Sequence, residues 1–390
     1  MIFTDRIRAA PPWAPRVLTI VLTVLAVAAV VGNAILGVPP NHPLPLDYSY
    51  FGAPGAALLQ GHWGMVYDDK TVQAGAFELI VWGVVHLLGV QTPAQWVVVH
   101  LVLTLLIAIA FAAVMRWQLR RIDRRWAGAL TAGATVLAAG TATFAAATTS
   151  AHPAQAIVPI LWMVVAMLAR DGRPLAAALV LGSTTGWETW GMLGLPILLL
   201  APRIDLPTIW RSMVGVLLPI AVLFGPFLLI GDFQMFSYVW PVRTDTLIHL
   251  LFPDTHFLPW PLRLAQAVLV LAGASLVAWL IRRAPDAVWL VPFAAVALRL
   301  LADPLLIFYY AEAPLLLLCA GMAVSLARRS WWVFLLGLVA VNLLLDLPLG
   351  LTSYALVIAA TAGMVALTIR RQRRHPEPAV PSTPLPVRVE

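Results

Sequence analysis

The chain has 390 residues, of which 61% are hydrophobic and 11% charged, with a mean hydropathy of +0.88. A water-soluble domain carries about a quarter charged residues, so the composition excludes a soluble globule, and equally a disordered or fibrous chain. The formal charge of +7, from 25 Lys+Arg against 18 Asp+Glu, does not point to nucleic acid, because the basic residues sit in blocks between apolar runs, where they act as topology signals. What remains is an all-α polytopic membrane protein.

At about 20 apolar residues per spanning helix, the length holds about a dozen spans and leaves no room for a soluble catalytic domain. Any chemistry then belongs to loops, helix ends or a cavity between helices. The first apolar run, 17–38, is longer than a signal-peptide core and reads as a retained helix. Clear runs follow at 95–115, 128–148, 153–169, 212–231, 262–281, 287–302, 305–327, 331–348 and 352–369. Residues 75–89 are short for a span and read as a re-entrant or interfacial helix. Residues 174–201 are too long for one helix and break at Gly186-Trp187-Glu188.

Basic residues favour the cytoplasmic side. The blocks Arg120, Arg121, Arg124 and Arg125; Arg170 and Arg173; Arg282 and Arg283; Arg328 and Arg329; and Arg370 to Arg374 are mutually consistent only if 75–89 dips in and returns and 174–201 crosses twice. That predicts about twelve crossings (ten to twelve) with both termini cytoplasmic. Under this arrangement 21 of the 25 basic residues lie inside and 11 of the 18 acids outside. Trp13, Trp117, Trp126, Trp210, Trp331 and Trp332 fall at inner boundaries, where an amphipathic ring is favoured. The expected organisation is a single transmembrane domain over 1–375, with outer loops at 39–74 and 232–261, and a disordered, Pro-rich cytoplasmic tail over 376–390. The single cysteine, Cys319, lies in an apolar run, so there is no disulfide framework or CxxC metal site.

The acids concentrate in the outer segments. Residues 41–70 read NHPLPLDYSYFGAPGAALLQGHWGMVYDDK. Asp47, among Tyr48, Tyr50 and Phe51, is suited to act as a general base on a sugar hydroxyl, since partial desolvation raises carboxylate basicity; it equally fits a solvated residue starting a helix. Asp68, Asp69 and Lys70 fit either a sugar or cation contact or a solvated turn. Glu78 and His86, eight residues apart, are expected on one helix face, looking into a cavity or lying flat at the interface.

His152 and Gln155 open the span at 153–169. Glu188 lies at the break, flanked by Trp187 and Trp190, and an ionisable residue at membrane depth is a functional candidate. In LRLLADPLLIFYYAEAP, Arg299 and Asp303 have the spacing of a helix-face ion pair, and with Tyr309, Tyr310 and Glu312 they form one mouth. Arg299 could bind a lipid-linked phosphate, whose oxygens match a guanidinium fork, or be purely structural. His249, His256, Asp245 and Asp254 match no metal-ligand spacing. No nucleophile elbow, P-loop or dinucleotide fingerprint is present.

Three stretches carry a resemblance to the GT-C superfamily of membrane glycosyltransferases, closest to glycosyltransferase family 87. Asp47-Tyr48-Ser49-Tyr50 with GAPGAALLQGHWGMVYDD is similar to that family's first-loop pattern. AHPAQAIVPILWMVVAMLARDGRPLAAALVLGSTTGWETWGMLGLPILLL is similar to its motif, span and hairpin. ADPLLIFYYAEAP resembles a late outer motif with paired tyrosines. About half the chain is covered. Three positions depart from the pattern. Ala76-Phe77-Glu78 stands where a Tyr-Pro-Pro element is usual, His152 where glycine is common, and Glu188 where many members have lysine.

The resemblance implies an inverting transfer of a sugar, mannose or arabinose, from a polyprenyl-phosphate donor to a hydroxyl of a glycan or glycolipid acceptor on the outer face of a bacterial inner membrane. Asp47 would be the base. Arg263 or Arg299 would stabilise the departing phosphate, and Tyr48, Tyr50, Asp68, Glu78, His152, Gln155, Glu188, Asp303, Tyr309 and Tyr310 would line the substrate site. Such a mechanism does not demand a divalent metal, and none is expected. Broken helices and an intramembrane Glu188 also fit a lipid-linked sugar flippase or small-molecule transporter, and the departures fit a catalytically inactive relative.

Overall fold

The computed structural model describes residues 11–38, 44–284, 287–305, 307–346 and 351–374. The tail at 376–390 and the start of the first outer loop at 39–43 lie outside the described residues. Among the described residues there is no strand, only two isolated bridges, Ala74–Glu188 and Pro241–Phe257. Five helices are long and apolar enough to cross a membrane: α1 (Ala14–Leu36), α4 (Pro93–Ile122), α9 (Leu206–Ile230), α11 (Trp260–Ile281), and the stretch Tyr309–Ala327 that contains α13 (Glu312–Ala327). The protein is a helical membrane protein. Shorter helices complete the bundle: α2 (Leu46–Leu59), α3 (Ala76–Leu87), α5 (Ala127–Gly140), α6 (Thr143–Thr149), α7 (Ala154–Arg170), α8 (Pro174–Thr184), α10 (Leu247–Leu251), α12 (Leu290–Leu301), α14 (Trp331–Asp346) and α15 (Leu351–Arg374).

Local chemistry sets many of the ends. Thr92 caps α4 in a reciprocal box with Gln95, with Pro93 at the first helical position. Asp205 accepts from the Thr208 N–H at the start of α9. Gly61, Gly89 and Gly172 adopt positive φ just past α2, α3 and α7, the left-handed stop for which glycine carries no Cβ penalty.

Helix centrality follows from what each helix buries. The crossing stretch that includes α13 is 89% buried, whereas α1, α4, α9 and α11 bury 17% to 28% and present apolar flanks outward. Lipid provides no hydrophobic drive between helices, so close packing by small residues takes over. Gly321 of α13 lies against the Trp289 ring, and Gly55 of α2 and Gly83 of α3 meet backbone to backbone.

Two expected elements differ in form. The run 128–148 is not one straight helix; α5 and α6 meet at a 47° bend, with Ala142 in the left-handed region at φ 56°. The segment 174–201 divides where the sequence breaks, but its second half, Thr189–Leu200, is a 3-10 helix. Gly191, Gly194, Ile197 and Leu200, three residues apart, lie buried along one face, with Pro196 beside them, the period of a 3-10 turn. At about 2 Å rise per residue it reaches roughly 24 Å.

The loops gather into two sets. In the acidic set, Tyr67 O accepts from Gln234 N at 2.7 Å, Gln73 Nε2 donates to Met235 O at 2.6 Å, and Arg243 N donates to Pro304 O at 3.0 Å. In the basic set, Arg121 pairs with Asp171 at 2.6 and 2.8 Å, Arg170 donates to the Arg282 carbonyl, and Arg371 donates to Arg328 O at 2.8 Å.

Candidate functional site: a buried carboxylate–imidazole cluster

Glu188 and Glu78 meet because of unpaired backbone groups. Between α8 and the 3-10 helix, Thr185–Glu188 leaves carbonyls without helical partners, and the first N–H groups of α3 need acceptors. Each set satisfies the other. Gly75 N donates to Trp187 O at 3.0 Å, Phe77 N to Gly186 O at 2.6 Å and Glu78 N to Gly186 O at 3.3 Å. A Cβ at Gly75 would collide with the Thr185 and Gly186 backbone, so glycine is required for this approach. Glu78 and Glu188 are thereby placed side by side.

His152 arrives from the end of α6. Ala151 N bonds to Thr148 O at 3.1 Å and His152 N to Ala147 O at 2.8 Å, the Schellman pattern, with Ala151 at φ 60° where glycine is usual. Left-handed backbone costs a non-glycine residue about 1–2 kcal/mol, and here it aims the imidazole at the acids. His152 Nε2 lies 3.1 Å from Asp47 Oδ2, and its Nδ1 lies 3.7 Å from Glu78 Oε1 and 3.8 Å from Glu188 Oε1. Burial alone would lower the His152 pKa, but the Asp47 hydrogen bond and the charges of Glu78, Asp47 and Glu188 outweigh it and lift the value to about 9. Phe51 stands edge-on to the ring at 5.7 Å, and Tyr309 lies at 4.9 Å on a tilted plane.

Glu78 is fully buried and neither carboxylate oxygen makes a hydrogen bond of good geometry, although the Trp82 indole N–H, itself without an acceptor, lies close enough to act on it; His152 Nδ1 also lacks a hydrogen bond. The Glu78, His152 and Glu188 ligand atoms lie within 4.8 Å of one another, the one such group of three among the described residues. The outer-loop histidines do not assemble: His256 is exposed, and His249 lies half-buried in α10, its N–H capped by Thr246.

A cationic wall adjoins this cluster. Arg299, at the end of α12, is buried. It lies 4.3 Å over the Trp190 ring and 4.9 Å over Tyr310, its Nε is 3.7 Å from Asp303 Oδ2, and Nη1 donates to Gln155 Oε1 at 3.5 Å. Trp190 is held in turn by Trp162, edge-to-face at 5.3 Å, whose indole N–H donates to Gly191 O at 3.1 Å. Burial raises the Asp303 pKa to about 6, against the lowering effects of Arg299 and the Leu305 N–H. Arg263 of α11 lies 5.8 Å from both Trp240 and Trp260, within electrostatic reach of Asp303 and Glu188.

Of the residues singled out in the sequence, Asp47, Glu78, His152, Glu188, Gln155, Arg299, Asp303, Tyr309, Tyr310 and Arg263 thus gather in one region. Tyr48 backs it, packed on Trp82 and Trp96 with its hydroxyl donating to Val90 O at 3.2 Å. Tyr50 and Asp68 are exposed and make no contact with the cluster that the structure records. The expectation that Glu78 and His86 share a face is corrected: Glu78 is buried and His86 exposed, because eight residues at 100° each leave them about 80° apart. Tyr67 lies in the first-loop stretch that carries the resemblance but was not singled out as a site residue. It is buried within electrostatic reach of Glu78 and Glu188, its hydroxyl donating to Ala74 O at 3.1 Å, and its position just before Asp68-Asp69 was the one available signal. Glu78, His152 and Glu188, at which the sequence departs from the motifs it resembles, are the three members of this cluster.

Comparison with protein-family models, curated proteins and solved structures finds no match.

Proposed function

We propose that this protein is a membrane glycosyltransferase of GT-C type, closest in character to family 87. It would transfer mannose or arabinose from a polyprenyl-phosphate donor to an acceptor hydroxyl, with inversion. The carrying observation is the convergence of Asp47 with the cationic wall of buried Arg299 and half-buried Arg263, brought from three separate helices into one region. Base and phosphate-stabilising cations at one site are what this chemistry needs.

In the proposed reaction the acceptor oxygen attacks the anomeric carbon while the bond to the donor phosphate breaks. The acceptor proton passes to Asp47, and polyprenyl phosphate leaves with its electron pair. Asp47 suits the base role because its side chain is 24% exposed and one oxygen is held by His152, leaving the other for substrate. The leaving phosphate is ionised at neutral pH, so it requires positive charge rather than a proton. A guanidinium fork supplies that, and with glutamate at position 188 the role falls to Arg299 and Arg263. Gln155 and Asp303 hold Arg299 in place.

The topology proposed with this function has about twelve crossings, cytoplasmic termini and the site on the extracytoplasmic side of a bacterial inner membrane. It is supported by the segregation of acidic and basic loops. The deciding experiment is transfer from radiolabelled polyprenyl-phosphate mannose, and from the arabinose donor, by membranes containing the protein. Asp47→Asn is expected to lower turnover at least about a hundredfold, the weight of a general base, with unchanged protein level. Full activity in that variant removes Asp47 from the base role. No transfer from either donor by the unaltered protein turns the reading towards transport or an inactive relative.

A further inference from the structure

We propose that Glu78, His152 and Glu188 form a binding site for one divalent transition-metal ion, Zn²⁺ or Mn²⁺, with Asp47 orienting the histidine from behind. Four observations support it. The first is satisfaction. Buried carboxylates and imidazole nitrogens almost always have partners, yet neither Glu78 oxygen nor His152 Nδ1 makes a hydrogen bond of good geometry, even with the Trp82 indole N–H beside Glu78, and Glu78 Oε1 faces His152 Nδ1 at 3.7 Å.

The second is distance. Contacts of 3.7 and 3.8 Å from Nδ1 to the two carboxylates are too long for hydrogen bonds. Ligands bound at about 2.0–2.2 Å to one ion lie roughly 3.0–3.8 Å apart at bond angles between square and trigonal. The full set of ligand atoms lies within 4.8 Å of one another.

The third is the second nitrogen. A metal-bound histidine characteristically donates its other ring N–H to a carboxylate, which fixes its tautomer and orientation. Asp47 Oδ2 at 3.1 Å from Nε2 occupies that position.

The fourth is charge. Asp47, Glu78 and Glu188 all face one imidazole; Arg299 and Arg263 also act on Glu188, but His152 is the cation that offsets the fully buried Glu78, so full ionisation leaves negative charge there unbalanced. Isolated buried carboxylates are costly and are found paired or coordinating metal. Arg299 makes its direct contacts with Trp190, Tyr310, Gln155 and Asp303, not with Glu78 or Asp47. Two carboxylate oxygens and one imidazole suit Zn²⁺ or Mn²⁺ better than Mg²⁺ or Ca²⁺, which prefer oxygen alone.

Metal binding does not depend on the transferase reading; only its purpose does, as a Lewis acid for the donor phosphate beside Arg299 and Arg263. The test uses the full chain purified in detergent, stripped with chelator, incubated separately with Zn²⁺ and Mn²⁺ and passed through gel filtration, with bound metal counted by mass spectrometry. The expected result is one ion per chain for at least one of the two metals. Glu78→Gln and Glu188→Gln should each lose it, and Asp47→Asn should bind about 10- to 100-fold more weakly, as for other orienting partners. Asp171→Asn, in the basic loop set, should bind as the unaltered protein does. Monodisperse elution and an unchanged melting temperature establish that the variants are folded; replacement of either glutamate by the isosteric amide removes charge without volume.

Absence of stoichiometric metal in the unaltered protein overturns the inference, leaving the cluster neutralised by protons. So does equal binding in both glutamine variants. Sugar transfer by metal-free protein that binds no ion would sink this inference alone, whereas stoichiometric binding without transfer from either donor would sink the transferase reading alone.

Discussion

At the residue scale, the environment of each acid decides what it can do. Asp69 accepts from the Thr71 N–H and hydroxyl, both at 2.8 Å, in an exposed turn, so its charge is solvated. Asp303 is buried beside Arg299, and its pKa of about 6 lies above the 3.8 of the free side chain. The sign follows from proton counting. Below pH 4 both folded and unfolded states hold the proton. Between about 4 and 6 the folded state keeps a proton that the unfolded chain has lost, so this group favours folding less and less as pH rises. Asp303→Asn removes the effect. The melting temperature of the variant, relative to the unaltered protein, should therefore rise by a few degrees between pH 4 and 7; a pH-independent difference would contradict the burial assigned to this carboxyl. His100 shows the opposite outcome for a buried ionisable group. Both ring nitrogens are occupied, by Ala34 O and Ala145 O at 2.8 Å, and its part is structural.

At the element scale, the site depends on three irregularities: the start of α3, the break before the 3-10 helix, and the left-handed turn after α6. The α2–α3 pair positions Asp47 relative to Glu78 through the contact of Gly55 with Gly83. A Cβ at Gly55 would overlap the Leu79 carbonyl and Gly83 backbone, and backbone cannot yield as a flexible side chain can. Gly55→Ala should cost about 1–3 kcal/mol, the usual penalty of overpacking, and weaken Zn²⁺ or Mn²⁺ retention as well, since α2 carries Asp47 and α3 carries Glu78. A thermal melt with metal counting checks both.

Part of this level was legible in the sequence. The break at Gly186-Trp187-Glu188 was read as such; the stops at Gly61, Gly89 and Gly172 and the Thr92–Gln95 box carry local chemistry that the reading by apolar runs did not use. Ala151 was not legible, because alanine carries no signal for a left-handed turn; only the tertiary position of His152 makes that conformation worth its cost. The 47° bend between α5 and α6 was hidden for the same reason, with Ala142 at the corner. The 3-10 form of Thr189–Leu200 was written in the three-residue spacing of Gly191, Gly194, Ile197 and Leu200, but an apolar run this uniform also reads as an α-helix.

At the scale of the whole molecule, the testable matter is orientation. Five long apolar helices, or six with the bent pair, are the crossings that length and composition support directly; the proposed twelve require the shorter apolar helices to cross as well. The chain offers a convenient background, since its one cysteine, Cys319, is fully buried in α13. A membrane-impermeant maleimide should label Lys70→Cys in intact cells and Arg124→Cys only after permeabilisation. Both replaced side chains are exposed. Labelling in the reverse order would invert the proposed topology and move the site to the cytoplasmic face.

The sequence by itself determined that this is a helical membrane protein, where its basic and acidic loops lie along the chain, and which ionisable residues are too costly in apolar surroundings to be incidental. Those conclusions rest on solvation, which acts on each residue singly. The tertiary structure alone decided that Asp47, Glu78, His152 and Glu188 share one point, that Arg299 stacks on Trp190 and reaches Gln155, and that His86 and Asp68 stand apart. Such convergence joins residues more than a hundred positions apart through the exchange of unpaired backbone groups between α3 and the Gly186 break, and neither periodicity nor composition records which orphaned donor will meet which orphaned acceptor.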